Sequence, residues 1–161
     1  MSETAPIATA WQVRAAGERD VVAVSSAVAD LLVELGGARP SPREMHAATR
    51  TLIEDPDAGA VLVAELDGAL VGVIAASWQT AIHSPGRYAL IQDLWVHAAW
   101  RGREIGADLV RALCELASDR QIARIEVGLP RESFTGLDAT EAFYVRNGFT
   151  PLGPRMRRVL S

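Results

Sequence analysis

The sequence predicts an α+β fold: one domain with a mixed central sheet of six or seven strands, flanked by about four helices. Three observations carry this. Apolar runs of strand length and runs of helical period come in blocks rather than in strict alternation. Asp67-Gly68 separates two β-rich runs, one of the stronger short-range hairpin signals. Ala123 to Leu129 follows the previous strand through a helix, the arrangement that gives a parallel pair with a crossover. The 161 residues suit a single domain over 1–161 with a full-sized core, residues 1–10 reading as a flexible lead-in.

Taken in order, Trp11 to Arg14 alternates apolar and polar residues as a short first strand. Gly17 to Leu35 is a helix with Val21, Val24, Val28, Leu31, Leu32 and Leu35 along one face, closed by Gly36-Gly37. Ser41-Pro42-Arg43-Glu44 reads as a capping box with Pro42 at the first helical position. That second helix runs to about Glu54 and is expected to bury Met45, Ala48, Leu52 and Ile53. Ala60 to Leu66, Leu70 to Ala76 and a strand from Tyr88 or Ala89 to Val96 read as a three-strand meander, with His83 to Arg87 as a loop. A helix follows from about Glu104 to Arg120, with Ile105, Leu109, Ala112, Leu113 and Leu116 at helical spacing. After the strand at 123–129, Ala139 to Arg146 is a short helix ended by Asn147-Gly148. Phe149 to Val159 is a last strand or hairpin, interrupted at Gly153-Pro154.

The totals narrow the function classes. A net charge of -4 and a pI near 5.4 provide no basic field for nucleic acid or an anionic membrane. No apolar run reaches membrane-spanning length and the N-terminus lacks the pattern of a signal peptide, so a cytoplasmic location is expected. The single Cys114 fits a reducing compartment and reads as a packed helix residue rather than a nucleophile. Three histidines and one cysteine make no metal-ligand spacing, so no metal is expected.

The stretch Leu94 to Leu109 carries the chemistry. Leu94-Trp95-Val96 ends a strand, Arg101-Gly102-Arg103-Glu104-Ile105-Gly106 turns, and a helix begins. Such a turn gathers unpaired backbone N–H groups and a positive dipole end at one point, a ready site for a phosphate. It is neither a Walker A loop nor a dinucleotide-binding glycine fingerprint.

It resembles the pyrophosphate-binding motif of the GNAT superfamily of N-acetyltransferases, Arg/Gln-x-x-Gly-x-Gly/Ala after a strand ending Leu-x-Val, with Arg101 and Gly106 at its ends and Glu104 in place of the first glycine. Tyr144, separated by three residues from Gly148-Phe149, resembles the end of the last GNAT helix, and the order of elements is also similar to that of the family.

The resemblance implies an acetyl-CoA-dependent N-acetyltransferase that acts by direct attack in a ternary complex on a primary amine of a small molecule or a protein. Leu94, Trp95 and Val96 would meet the pantetheine arm. Backbone amides of Arg101, Gly102, Arg103, Glu104, Ile105, Gly106 and Ala107 would hold the pyrophosphate, Arg101 or Arg103 adding charge. Tyr144 would be the general acid to the CoA sulfur, its ordinary pKa near 10 keeping it protonated. The base would be Asp93 or, from the preceding loop, His83; His97 and His46 read as structural or solvated. Acceptor specificity would lie in the first two helices and a Gln79 to Tyr88 loop, and the last strand suggests a possible homodimer. Glu104 favours the helix dipole if its carboxylate points to solvent, and weakens CoA binding if it faces inward. The Asn that many GNAT proteins carry before the tyrosine is here Leu137, beside Asp138. A different class of reading, a catalytically inactive CoA-binding regulatory or accessory domain, would account for both departures.

Overall fold

The computed structural model describes residues 11–160; the expected lead-in at residues 1–10 lies outside the described residues. Five strands form one sheet in the order β1-β2-β3-β4-β5: β1 Gln12–Ala15, β2 Gly59–Leu66, β3 Ala69–Ala81, β4 Ser84–Val96 and β5 Ile125–Val127. The first four are antiparallel and β5 runs parallel to β4, so the sheet is mixed. Four α-helices accompany it: α1 Val21–Glu34, α2 Pro42–Glu54, α3 Ile105–Asp119 and α4 Leu137–Arg146.

Strand alternation divides the core. Val61, Val63, Val73 and Ala75 pack with Val24 and Ala27 of α1 on one face. Leu62, Ala64, Ile74 and Ala76 pack with Ile105, Leu109, Val110 and Leu113 of α3 on the other. The close approach of α3 depends on Gly72, where an added Cβ would lie 2.7 Å from Ile105 Cγ2 and 2.9 Å from Leu109 Cδ1.

The Asp67-Gly68 hairpin forms as expected, both residues at positive φ (50° and 81°), the two-residue turn that matches the twist of its strands. The C-termini of α1 and α4 are glycine-closed. Gly36 N–H donates to Val33 O and Gly37 N–H to Leu32 O. At α4, Gly148 N–H donates to Val145 O and Phe149 N–H to Tyr144 O. α3 closes the same way without glycine, Gln121 taking φ 61°.

Several expectations are corrected. The sheet has five strands, not six or seven, because residues 149–160 form no strand. Pro151 and Pro154 remove two backbone donors within four residues, and residues 150–160 find no face to bury. The loops expected at His83 to Arg87 and Gln79 to Tyr88 belong to one long hairpin: Ala81 pairs with Ser84 and Gln79 with Tyr88, leaving Ile82-His83 as its tip. Ser41 precedes α2, but its side chain makes no capping hydrogen bond. Ala48 of that helix is exposed while Met45, Leu52 and Ile53 are half-buried. The space expected for Ala48 goes to Thr49, whose hydroxyl meets Ser25 of α1 at 3.0 Å.

Candidate active site

β4 and β5 are held by three residue pairs, the last being Ile91 with Val127. β4 continues to Val96 against β3. Beyond Ile91 the β5 side of β4 therefore has no strand partner, and the two strands part. Leu94, Trp95 and Val96, all half-buried, lie on this unpaired edge.

A β-bulge prepares the opening. Ala76 pairs with Ile91 and Ala75 with Asp93, so Gln92 is the extra residue. The bulge shifts the alternation: Ile91 packs in the α3-side cluster, whereas Asp93 stands opposite Ala75 of the α1-side cluster. Simple alternation from Ile91 would already turn Gln92 to the α1 side; the bulge brings Asp93 there as well.

Asp93 is half-buried, and burial raises its carboxyl pKa above the ordinary value. Among the described residues no cation or hydrogen-bond donor offsets that cost. Tyr144 approaches from the other face. Its ring is buried in the α3-side cluster, between Phe143 at 5.1 Å and Phe149 at 5.3 Å, both edge-on. The glycine-closed end of α4 fixes this placement, because the same turn that stops the helix folds Phe149 back onto Tyr144. Burial, reinforced by the negative charge of Asp93, pushes the Tyr144 pKa up to about 12. The Asp93 charge is thus felt at Tyr144, while burial alone accounts for the Asp93 shift. His83, by contrast, sits at the exposed hairpin tip ten residues before Asp93, roughly 30 Å away at about 3.3 Å per strand residue. It is too far to share a proton with Asp93.

The turn 101–104 leads into α3, where the N–H of Asp108 is the first to find a helical acceptor, Glu104 O. The N–H groups of Ile105, Gly106 and Ala107 precede it, and no side chain caps them. Gly102 (φ 78°) and Glu104 (φ 69°) both adopt left-handed backbone. That explains physically why a glycine would suit position 104, and marks Glu104 as strained. Its side chain is exposed. Gly106 is closely packed: a Cβ there would lie 3.1 Å from the Phe143 ring, which would have to shift by a few tenths of an ångström. This donor set, an uncapped helix start behind a left-handed turn, fits a diphosphate.

Both arginines have partners within the protein. Arg101 is engaged by Glu34 at the end of α1, through Nη1 at 2.8 Å and Nη2 at 2.7 Å, while its Nε donates to Val96 O at 3.1 Å. The Glu34 pairing raises the Arg101 pKa. Arg103 lies over the Trp100 ring at 4.8 Å. The sequence offered no signal for Glu34, which lies 67 positions away. Leu137, half-buried, is the first residue of α4 and Asp138, exposed, follows it. His97 accepts from Ala99 N–H through Nδ1 and stacks edge-on against Trp95; His46 is half-buried on α2. Cys114 is exposed on α3, not packed, and partial burial of its thiol, with the charge of Glu115, raises its pKa.

Two surface hollows, of about 400 Å³ beside Trp11 and Asp108 and about 270 Å³ between α1 and α2, lie apart from this opening. No group of metal-ligating side chains, and no helix long and apolar enough to cross a membrane, occurs among the described residues.

Comparison with known proteins bears on this geometry. The model of the acetyltransferase (GNAT) family matches residues 27–149. No curated protein matches the chain in sequence. Among solved structures, an aminoglycoside acetyltransferase from an uncultured soil metagenomic sample is similar at 23% identity and TM-score 0.76, over 95% of this chain and 100% of that one. A ribosomal-protein-alanine N-acetyltransferase from Brucella melitensis is similar at 21% identity and TM-score 0.70, covering 93% and 99%. An aminoglycoside N-acetyltransferase in complex with CoA is 12% identical with a TM-score of 0.77, covering 97% and 98%. At these identities the structures speak for the fold.

Proposed function

The chain belongs to the GNAT acetyltransferase family and is an acyl-CoA-dependent N-acetyltransferase; we propose that it transfers acetyl from acetyl-CoA to a primary amine at the opening between β4 and β5, with Tyr144 and Asp93 as the proton-handling pair. One observation supports this reading above the others. Past the Ile91–Val127 pair the strands part beside two titratable groups whose environments hold each in its neutral form longer than usual.

Acetyl-CoA supplies an acyl group already activated as a thioester. The backbone amides from Arg101 to Ala107, with the α3 dipole, orient its diphosphate. The unpaired edge of Leu94 to Val96 offers backbone groups to the pantetheine arm. Tyr144, held protonated far above neutral pH, donates its hydroxyl proton to the departing sulfur. Asp93, whose raised pKa makes it a stronger base than an ordinary carboxylate, takes a proton from the acceptor ammonium, freeing the lone pair that attacks the carbonyl carbon. As the sulfur departs with the Tyr144 proton, the nitrogen gives up its second proton and Tyr144 is restored.

The acceptor is a small-molecule amine or a protein amino group. The single-domain organisation, the cytoplasmic location and homodimerisation belong to the same proposal.

Calorimetric titration with acetyl-CoA, followed by thiol release with an amine panel, tests this. Tyr144→Phe is expected to keep acetyl-CoA affinity and lose about one hundred-fold or more in turnover. Full turnover in that variant would remove Tyr144 as the acid. Acetyl-CoA binding without turnover on any amine would instead favour an inactive CoA-binding domain, the reading that the strained Glu104 keeps open.

A further inference from the structure

The α1-side face of the sheet carries a polar row that the reaction above does not use. On β3 this face alternates through Val73, Ala75, Ser77 and Gln79. Val73 and Ala75 are buried under α1, whereas Ser77 and Gln79 are half-buried beyond it. Across the hairpin, Gln79 faces Tyr88, and the bulge at Gln92 brings Gln92 and Asp93 to this same side. The row is joined by hydrogen bonds: Gln79 Nε2 donates to Ser77 Oγ at 2.7 Å and Gln92 Nε2 donates to it at 2.8 Å.

One hydroxyl oxygen thus gathers two amide NH2 groups. Each glutamine has its donor end turned inward to Ser77, so its carbonyl oxygen is directed away. Beside Asp93 the sheet presents two amide carbonyl oxygens and a carboxylate, with the second N–H of each amide and the Ser77 O–H among them. A ligand that matches it carries several donors around its amine. An apolar amine would strip water from these oxygens and return nothing, the kind of mismatch that polar sites reject most strongly.

We propose that Ser77, Gln79 and Gln92 form the acceptor-recognition row beside Asp93, and that it selects primary amines bearing neighbouring hydroxyl or amino groups, such as amino sugars and aminocyclitols, over apolar amines. This inference rests on the acetyl-transfer reading above. Gln79 and Gln92 contact the acceptor; Ser77 is a positioning residue that holds both amides.

The test compares glucosamine and 2-deoxystreptamine with 2-phenylethylamine as acceptors for the wild type, Gln92→Leu, Gln79→Leu and Ser77→Ala. Gln92 is exposed, so its substitution leaves the core intact. The wild type is expected to prefer the hydroxyl-rich amines. Each glutamine variant should raise their KM about tenfold, one hydrogen bond's worth, with kcat, phenylethylamine KM and acetyl-CoA affinity unchanged. Ser77→Ala should raise the same KM by releasing both amides. A wild type that prefers phenylethylamine, or variants that shift both classes alike or neither, overturns the inference. Direct calorimetric titration of the amines, with and without CoA, separates the two failures. Absent acetyl-CoA binding removes the acetyl-transfer reading; absent discrimination between the amines in the CoA-free titration removes the row.

Discussion

Arg101 and Glu34 form a two-pronged ion pair that ties the turn before α3 to the last residue of α1. A guanidinium held this way has its donors committed to a carboxylate rather than to a phosphate. Glu34 also places a negative charge at a helix C-terminus, where the dipole disfavours it, and Arg101 offsets that charge.

Glu34→Gln is therefore expected to release Arg101 and remove an anion from the surroundings of the diphosphate site. The acetyl-CoA dissociation constant should fall by a few-fold at low salt, with the gain lost at high salt. Because both side chains are well exposed, the cost in stability is expected to be at most about 1 kcal/mol. Titration at two ionic strengths, with a thermal melt alongside, checks both parts.

Asp93 links activity to pH with one sign and stability with the other. Burial raises its folded pKa, so the folded state holds the proton more tightly than the unfolded chain. Its contribution to stability is complete below the unfolded carboxyl pKa and is lost as pH rises through the folded value. Asp93→Asn is expected to raise Tm at neutral pH and to abolish the acidic limb of the kcat/KM profile, while lowering kcat/KM itself. A variant that melts earlier at neutral pH would contradict the buried, unpaired carboxylate.

At Glu104 the strain and the charge separate by substitution. Glu104→Gly relieves left-handed backbone worth about 1 kcal/mol, but adds a similar unfolded-chain entropy of roughly 0.5–1 kcal/mol. Tm should hardly move. Glu104→Gln keeps the strain and removes only the charge, so a tighter acetyl-CoA complex in both variants assigns the effect to the carboxylate.

Gly72→Ala tests the packing of α3. The added methyl has nowhere to go between Ile105 and Leu109, both fully buried, and about 1–3 kcal/mol of destabilisation is expected by chemical denaturation.

The sequence was informative at most points where local chemistry decides structure, the Ser41 cap excepted. The Asp67-Gly68 turn, the Gly36 and Gly148 helix ends and the α3 stripe from Ile105 to Leu113 all express short-range rules. The last strand misled because Pro151 and Pro154 and the absence of a burying partner outweigh its apolar residues. The 79–88 segment read as a loop through Pro85-Gly86, yet cross-strand pairing carries it as hairpin. In the candidate site, the turn, Tyr144 and Asp93 were legible as residue types. The bulge at Gln92, the Glu34 partner of Arg101 and the Ser77 cluster were not, since each depends on a register or a contact between distant segments.

The unequal hydrogen bonding of β4 has a consequence for motion. On one side it is laced to β3 through ten residue pairs, on the other to β5 through three. Amide protons that cross between β3 and β4 should exchange with solvent only in rare, global openings. Those of β5 and of the middle of β4 that faces it, Ala89 to Ile91, should exchange through frequent local ones. One wall of the opening is thus held by many pairs and the other by few, so any widening of it is expected to displace the three residues of β5 before the rest of the sheet.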